Sequence, residues 1–348
     1  MKNILEQMQE RQFEDIHFHY DRETGLKSII AIHNTQRGPA LGGCRFYPYA
    51  SEEDGLTDVM NLAQSMTYKA ALAGLPLGGG KSIIFGDPKT AKNEKTLEAF
   101  AKFVESLGGN YITSVDSGTT PKDLDVFLRH TKHVTGYTPE FGGAGDPSPV
   151  TALGVFEGIR ACAKHAYGSD DLSGRIVAIQ GTGNVGASLA KMLKNAGASL
   201  ILADRDEAKV TSLASELGAK LSTTDRILEE KCDILAPCAM GNVINETNLS
   251  KLHCKVVAGG ANNPLGSVEI GEKLHQMGIM YAPDFVINAG GLIHVAQELE
   301  GYDRAKAEKK TKDIYFTIEK ILARAKQENL ATAVIARKMA KEILDQSK

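Results

Sequence analysis

The sequence predicts an α/β fold arranged as two domains. The chain has 348 residues, which is more than one hydrophobic core usually supports. Short apolar runs alternate with helical patterns along its length, as in α/β proteins. A glycine- and proline-rich stretch at 141–149 suits a hinge. We place the boundary just before it, with a first domain at 1–134, a second at 135–330, and a C-terminal helix at 331–348 that could pack back on the first.

The first domain is predicted to contain three strands and two helices. Ser51 has a hydroxyl side chain followed by three acidic residues, which is typical of a helix start, and the helical pattern runs toward Lys69. The predicted elements in order are a strand at 28–33, the helix from Ser51, a strand at 81–86, a helix at 92–107 and a strand at 111–116. Polar side chains at the ends of such elements are where α/β proteins usually place their sites.

The second domain is predicted to open with a helix at 151–165, which a new α/β series follows. Its elements in order are a strand at 175–180, a helical pattern at 187–193 and a strand at 199–203. The last ~45 residues are charged and read as helical.

Composition narrows the class of protein. The net charge is only −3 and the basic residues are spread along the chain, which argues against a nucleic acid or an anionic membrane as partner. There is no signal-peptide pattern and no apolar run of ~20 residues. The five cysteines include no CxxC pair, so neither a disulfide framework nor a metal site is indicated. We expect a cytoplasmic protein that binds a small molecule and no metal.

Two lysines stand in segments otherwise built from small and apolar residues. Lys69 and Lys81 lie twelve positions apart, and Lys81 follows three glycines. Burying an ammonium group is costly unless an anion or acceptors receive it. The pair therefore suggests a site in which one lysine holds a substrate carboxylate and the pKa of the other is lowered by like charge. The alternative is that both lysines reach solvent at a helix end and a turn.

A dinucleotide-binding motif follows the strand at 175–180. It consists of Gly181, Thr182, Gly183, Asn184, Val185 and Gly186, and a helical pattern comes next. Gly181 would allow the tight turn, Gly183 the close approach of a pyrophosphate, and Gly186 close helix packing. The order of strand, glycines and helix predicts a Rossmann-type, doubly wound NAD-binding domain.

The next strand ends at Asp204, 18 residues beyond Gly186. A carboxylate at this place can accept the ribose hydroxyls and repel a 2′-phosphate, which favours NAD over NADP. Arg205 leaves residual use of NADP open, because an arginine there could receive a phosphate.

Seven motifs together resemble the Glu/Leu/Phe/Val amino-acid dehydrogenases, most closely the leucine dehydrogenase branch. They are Gly38-Pro39-Ala40-Leu41-Gly42-Gly43, Met66-Thr67-Tyr68-Lys69, Gly78-Gly79-Gly80-Lys81, Asp116-Ser117-Gly118-Thr119-Thr120, Gly145-Asp146-Pro147-Ser148-Pro149-Val150-Thr151, Ala261-Asn262-Asn263 and Ile287-Asn288-Ala289-Gly290-Gly291. The resemblance covers nearly the whole chain.

The resemblance implies an N-terminal catalytic domain, a C-terminal NAD domain and a cleft between them. It also implies reversible oxidative deamination of an L-amino acid to a 2-oxo acid and ammonia. Lys69 would anchor the substrate carboxylate, and Lys81 would activate water. Asp116 would exchange a proton with the nitrogen, although a carboxylate there could instead cap the helix near Pro121. A homo-oligomer, at least a dimer, is also expected.

Further roles follow from the same resemblance. Gly42, Gly43 and Asn263 would contact the substrate, and Thr151 and Asn263 the cofactor, although Thr151 and Asn263 could equally be capping or turn residues.

The preferred substrate side chain is predicted to be aliphatic and branched. Leu41 stands where the glutamate branch carries a lysine, so a glutamate side chain would be left unpaired. The matching pocket positions are Leu41, Ser114, Leu292 and Val295, which suit leucine, valine or isoleucine. Ser114, Val115 and His294 depart from the leucine branch, and an aromatic substrate stays an alternative because apolar pockets discriminate only modestly. A non-catalytic NAD-binding regulator is a remote alternative, which would be expected to lack Lys69, Lys81 or Asp116.

Overall fold

A computed structural model describes residues 3–239 and 241–347. The chain divides into two compact units. Unit 1 holds residues 3–146, 295–304 and 340–347, and unit 2 holds Pro147–His294 and Ala305–Met339. The predicted α/β class is confirmed in both units. The functional division at 134/135 stays a prediction.

Unit 1 alternates strands and helices from its N-terminus. Its elements are α1 (Ile4–Arg11), β1 (Asp15–Tyr20), β2 (Lys27–Asn34), β3 (Ala40–Tyr47), α2 (Glu52–Leu72), β4 (Gly78–Phe85), α3 (Glu94–Ser106), β5 (Tyr111–Val115) and α4 (Pro121–Leu128). Ser51 caps α2 by accepting a hydrogen bond from the Asp54 amide, with acidic residues in the first turn, as the sequence predicted.

The sheet of unit 1 has the strand order β1-β2-β4-β3-β5. The β1–β2 and β2–β4 pairs are antiparallel, whereas β3 is parallel to both β4 and β5. A core around Phe100, Phe127 and Tyr111 is almost fully buried, and Val59 and Met60 of α2 belong to a second one. The central strands β4 and β3 are therefore covered by apolar side chains, and their residues are held rigidly.

Unit 2 begins with a long helix and then a parallel series. Its elements are α5 (Ser148–Tyr167), β6 (Ile176–Gln180), α6 (Asn184–Asn195), β7 (Ser199–Ala203), α7 (Glu207–Leu217), β8 (Lys220–Leu221), β9 (Ile234–Pro237), β10 (Val256–Val257), α8 (Val268–Gln276), β11 (Met280–Tyr281), α9 (Asp284–Ile287), α10 (Gly290–Ala296), α11 (Arg304–Thr311), α12 (Ile314–Glu328) and α13 (Thr332–Asp345). Three of the helices, α10, α11 and α13, span a unit boundary.

The sheet of unit 2 has the order β11-β10-β9-β6-β7-β8, and its pairs are parallel. Along the chain, β7 and β8 are added on one side of β6, and β9, β10 and β11 are then added on its other side. This is the doubly wound arrangement that the sequence predicted, with its switch point between β6 and β9. Across residues 3–239 and 241–347, no helix is both long and apolar enough to span a membrane.

Candidate active site

Strand β4 places Lys81 in the middle of a sheet. The sequence pattern began this strand at Lys81, but Gly78, Gly79 and Gly80 already pair with neighbouring strands. The reason is close packing, because a Cβ atom on Gly79 would lie 2.0 Å from the backbone nitrogen of Thr67 in α2. Lys81 is only 4% exposed. A solvated lysine at a turn is therefore excluded.

Asp116 follows the end of β5 and receives two cations. The ammonium of Lys81 contacts its Oδ2, and Nε of Arg45 donates to its Oδ1 at 3.0 Å. Arg45 also donates to Asp58 at 2.8 Å. Asp116 does not cap the next helix, since the hydroxyl of Thr120 takes that role. The carboxylate is thus committed to the lysine and the arginine.

The electrostatic balance at Asp116 favours its ionised form. Burial alone would raise the pKa of Asp116, but the charges and hydrogen bonds of Lys81 and Arg45 outweigh burial and hold that pKa well below its usual range. The amide of Ser117 adds a hydrogen bond to Oδ1 at 2.7 Å. Asp116 therefore carries a negative charge across the ordinary pH range.

Lys69 lies in the last turn of α2 and is partly buried. Two residues earlier, Thr67 is buried, and its hydroxyl is hydrogen-bonded to Nδ1 of His33 at 2.8 Å. Since Thr67 also packs on Gly79 of β4, the end of α2 is fixed against the strand that carries Lys81.

The glycine pair on β3 permits close contact with both neighbouring strands. A Cβ atom on Gly42 would lie 1.8 Å from the carbonyl oxygen of Gly80, and one on Gly43 would lie 2.8 Å from Cβ of Asp116. Larger residues at these positions would push β3 away from the lysine–aspartate pair. The predicted substrate positions Gly42 and Gly43 therefore lie directly beside this pair.

Two predicted specificity residues lie in the same sheet. Leu41 on β3 and Ser114 on β5 are 1% and 4% exposed, and Ser114 is the register partner of Gly43. Val295, also in unit 1, is buried too. Leu292 is buried as well, but belongs to unit 2.

The glycine motif of unit 2 forms the turn from β6 into α6. Gly181 has φ of +92°, a left-handed conformation that favours glycine. A Cβ atom on Gly186 would lie 2.0 Å from the carbonyl oxygen of Gly181, whereas one on Gly183 would meet nothing within 4 Å. Gly183 is the N-cap residue of α6, and no side chain caps this helix. The turn thus leaves open space at a helix N-terminus, which fits a phosphate group.

The motif is completed by Thr182, Asn184 and Val185, with Asp204 after β7. Oδ2 of Asp204 accepts hydrogen bonds from the amide of Thr182 at 2.5 Å and from its hydroxyl at 3.1 Å. Asn184 and Val185 form the first turn of α6. Although burial opposes it, hydrogen bonding from the Asp206 and Thr182 amides and the Thr182 hydroxyl lowers the pKa of Asp204. Asp204 is therefore a fixed anion at the carboxyl edge of the sheet.

The structure gives Thr151 and Asn263 local backbone roles. The Thr151 hydroxyl donates to the carbonyl of Pro147 at 3.0 Å in the first turn of α5. Asn263 adopts φ of +48°, and its amide donates to Asp284 at 2.8 Å. Contacts of this kind are common at helix ends and in turns. Their roles toward a ligand stay predictions.

Two residues that sequence reasoning did not assign stand out. Arg45 is the one charged residue in β3. This isolated charge is the sequence signal that could have identified it as a functional residue. Asn288 was noted only within a motif. Its Nδ2 donates to Asn262 at 2.7 Å, but its buried Oδ1 finds no partner among the described residues. A buried amide oxygen without a donor is uncommon in a folded protein.

No cluster of three or more His, Cys, Asp or Glu residues suited to a metal ion occurs within residues 3–239 and 241–347.

A buried lysine–aspartate pair in one α/β unit and a strand–glycine–helix turn in the other are the features that the resemblance to the amino-acid dehydrogenases led us to expect. Residues 10–133 match the family described as "Glu/Leu/Phe/Val dehydrogenase, dimerisation domain". Residues 142–207 and 199–342 match "Glutamate/Leucine/Phenylalanine/Valine dehydrogenase". The chain belongs to this family and is an amino-acid dehydrogenase.

Relatives within the family have different named substrates. The chain is 49% identical to a leucine dehydrogenase of Geobacillus stearothermophilus, over 98% of this chain and 93% of the relative. It is 46% identical to a valine dehydrogenase of Streptomyces virginiae, over 92% and 91%. Among solved structures, an L-tryptophan dehydrogenase from Nostoc punctiforme matches with a TM-score of 0.87 and 38% identity, over 99% of each chain.

Proposed function

We propose that this protein catalyses the NAD-dependent, reversible oxidative deamination of branched-chain aliphatic L-amino acids. Leucine, valine or isoleucine would yield the 2-oxo acid and ammonia. The observation that carries this proposal is the buried contact between Lys81 and Asp116 beside the glycine pair of β3. Similarity to leucine dehydrogenases at 45–49% identity over 97–98% of the chain supports it.

In this proposal Lys69 binds the substrate carboxylate. A lysine is a point charge that holds an anion without bidentate geometry. The position of Lys69, in the last turn of a helix that packs on β4, would fix the substrate relative to Lys81. Holding one end of the substrate at a rigid element is what allows the reacting carbon to be presented in one orientation.

Lys81 and Asp116 would divide the proton transfers. Asp116 enters the cycle ionised and can accept a proton from the substrate amine. Its proton affinity is small while two cations contact it, so we infer that the Lys81 contact opens when the amine arrives. Lys81, released from Asp116, would then activate the water that attacks the imino carbon and stabilise the oxygen that becomes negative.

NAD would bind at the turn from β6 to α6, and when bound it accepts the hydride. The open space beside Gly183 and the unpartnered oxygen of Asn288 fit such a ligand. Gly181 and Gly186 would bring the backbone close to the pyrophosphate. Asp204 would accept the ribose hydroxyls and disfavour a 2′-phosphate, which selects NAD over NADP.

The predicted specificity positions Leu41 and Val295 are apolar and buried, which supports the proposed substrate class. Leu41 is apolar and almost fully buried, so a glutamate side chain would find no cation at this position. Ser114 is almost fully buried on the neighbouring strand β5. Val295 of unit 1 would add an apolar side chain, and Leu292 of unit 2 stays a predicted specificity residue.

A homo-oligomer is the proposed assembly. The family match at 10–133 is described as a dimerisation domain, and β1 is an edge strand with Phe18 and Tyr20 exposed by 57% and 63%. Exposed apolar side chains on an unpaired strand edge favour association with another chain. We expect Phe18→Asp to lower the mass measured by light scattering, and an unchanged mass would contradict this interface.

The function is tested by a substrate panel with the purified protein. NADH formation is followed with NAD and a series of L-amino acids at about pH 10, where more of the substrate amine is unprotonated. We expect leucine, valine and isoleucine to be the fastest substrates, with 2-oxo acid and ammonia formed in equal amounts. Faster turnover of phenylalanine or tryptophan would assign the protein to an aromatic substrate. Absence of any turnover would contradict the proposal.

A further inference from the structure

Two cysteines lie side by side at the amino edge of the unit 2 sheet. Cys232 precedes β9 and Cys254 precedes β10, and the parallel register pairs Ile234 with Val256. The pairing extends beyond the N-terminal ends of both strands, because the Cys232 amide donates to the carbonyl of His253 at 3.1 Å. Cys232 and Cys254 therefore occupy directly opposite positions on neighbouring strands. Adjacent strands are about 4.8 Å apart, which lies within the Cα separations that disulfides span.

The register of β9 and β10 places each thiol in the electrostatic surroundings of the other. Hydrogen bonding from Cys232 lowers the pKa of Cys254, assisted by the amides of Leu235 and Val256 and opposed by burial. The same hydrogen bond, together with burial, raises the pKa of Cys232. These two directions favour Cys254 as the thiolate and Cys232 as the thiol of the pair that the strand register brings together.

Oxidants can reach this pair. Both cysteines are only partly buried and line a cavity of about 580 Å³. Arg175, Lys231 and Lys255 line the same cavity as cations, and Asp233 lines it as an anion. The cations favour a thiolate, whereas Asp233 helps to raise the pKa of Cys232. Cys44 and Cys162 differ because both are completely buried, whereas Cys238 is partly buried like the pair.

We propose that Cys232 and Cys254 form a reversible disulfide when the protein meets hydrogen peroxide. The Cys254 thiolate attacks a peroxide oxygen, the O–O bond breaks, and hydroxide leaves to form water with a proton. Cys254 is then a sulfenic acid. The Cys232 sulfur attacks the Cys254 sulfur, the S–O bond breaks, and a second water leaves. Two thiols lose two electrons to one peroxide, and the products are one disulfide and two waters.

This modification site is separate from the dinucleotide turn. The cysteines lie at the amino ends of β9 and β10, whereas Gly181 follows the carboxyl end of β6 in the same parallel sheet. The disulfide would close a loop over residues 232–254 and join two strands. A cross-link of this kind restricts the unfolded chain, so the oxidised protein should unfold at a higher temperature than the reduced one.

The test is oxidation by hydrogen peroxide followed by alkylation and peptide mass spectrometry. We expect a cross-linked peptide pair containing Cys232 and Cys254, lighter by two hydrogen atoms and split by dithiothreitol. Dimedone traps a sulfenic acid. In Cys232→Ser treated with hydrogen peroxide, it should label Cys254 about 10-fold faster than it labels Cys238. In Cys254→Ser, Cys232 should stay alkylatable. Cys162→Ser is the matched control and should form the disulfide as the wild type does.

The results that would overturn the proposal are specific. One is a wild-type protein in which other cysteines are oxidised while Cys232 and Cys254 stay reduced. Another is faster labelling of Cys232 in Cys254→Ser than of Cys254 in Cys232→Ser, which would reverse the roles. A third is a cross-link between Cys232 and Cys254 that dithiothreitol does not split.

Discussion

Removing the Asp116 charge should destabilise unit 1 more than removing its lysine partner. In Asp116→Asn the Lys81 ammonium, whose side chain is 5% exposed, loses the carboxylate that it contacts. In Lys81→Met, Asp116 keeps its hydrogen bond from Arg45 at 3.0 Å. An uncompensated buried charge is the larger penalty, so the two substitutions should differ although they break the same contact.

The magnitudes follow from burial. Breaking a buried ion pair by deleting one partner typically costs 3–5 kcal/mol, and because the Asp116 side chain is 18% exposed we take about 3 kcal/mol for Asp116→Asn. Lys81→Met should cost about 1–2 kcal/mol, because Arg45 continues to compensate the carboxylate. The double variant leaves neither charge buried, so it should cost about 2 kcal/mol in total. The coupling free energy is then about 2–3 kcal/mol.

The assay is urea unfolding of the wild type, both single variants and the double variant. All four are measured at one protein concentration, because association would shift the apparent free energy of unfolding. Lys92→Met is a matched control, since Lys92 forms a 2.7 Å ion pair with Asp123 in the same unit. A strictly additive cycle for Lys81 and Asp116, or an Asp116→Asn variant within about 0.5 kcal/mol of the wild type, would refute the reasoning.

Three further predictions concern the pH response, the cofactor and the substrate. Burial raises the pKa of Glu298 to about 7, although hydrogen bonds from the Ala144 and Gly136 amides oppose this rise. The protonated side chain therefore contributes its full stability below about pH 4, and this contribution is lost as the pH rises through 7. In urea titrations, the free energy of unfolding of Glu298→Gln should change by about 2 kcal/mol less than that of the wild type between pH 5 and 8. Asp204→Ala should raise KM for NAD about 10-fold and narrow the preference over NADP in initial-rate assays. Leu41→Ala should shift the ratio of kcat/KM from leucine toward phenylalanine by about 10-fold.

Local patterns in the sequence predicted much of the fold. The cap at Ser51 was visible because a hydroxyl followed by acidic residues satisfies the first amides of a helix. The turn at Gly181 was visible because the strand, the glycines and the helix follow one another directly. Such features depend on neighbours along the chain, and the sequence contains those neighbours.

Features that depend on distant pairing could not be read in the same way. Glycine is disfavoured in strands, so Gly78 to Gly80 resembled a turn, yet they form β4 because α2 and two strands pack closely against them. Arg45 and Asp116 are 71 residues apart, and their contact arises only when β3 pairs with β5. The same holds for the cysteine pair, whose members meet through the register of β9 and β10.

The most direct test of the central claim is the turnover of L-leucine by Lys81→Ala compared with Lys92→Ala. Both substitutions remove a lysine that is paired with an aspartate in unit 1. Of these two lysines, only Lys81 is proposed to activate the water that attacks the imino carbon. We expect kcat to fall about 10³-fold in Lys81→Ala and to stay within about 3-fold of the wild type in Lys92→Ala, with circular dichroism spectra unchanged in both. Wild-type turnover by a folded Lys81→Ala variant would contradict the account.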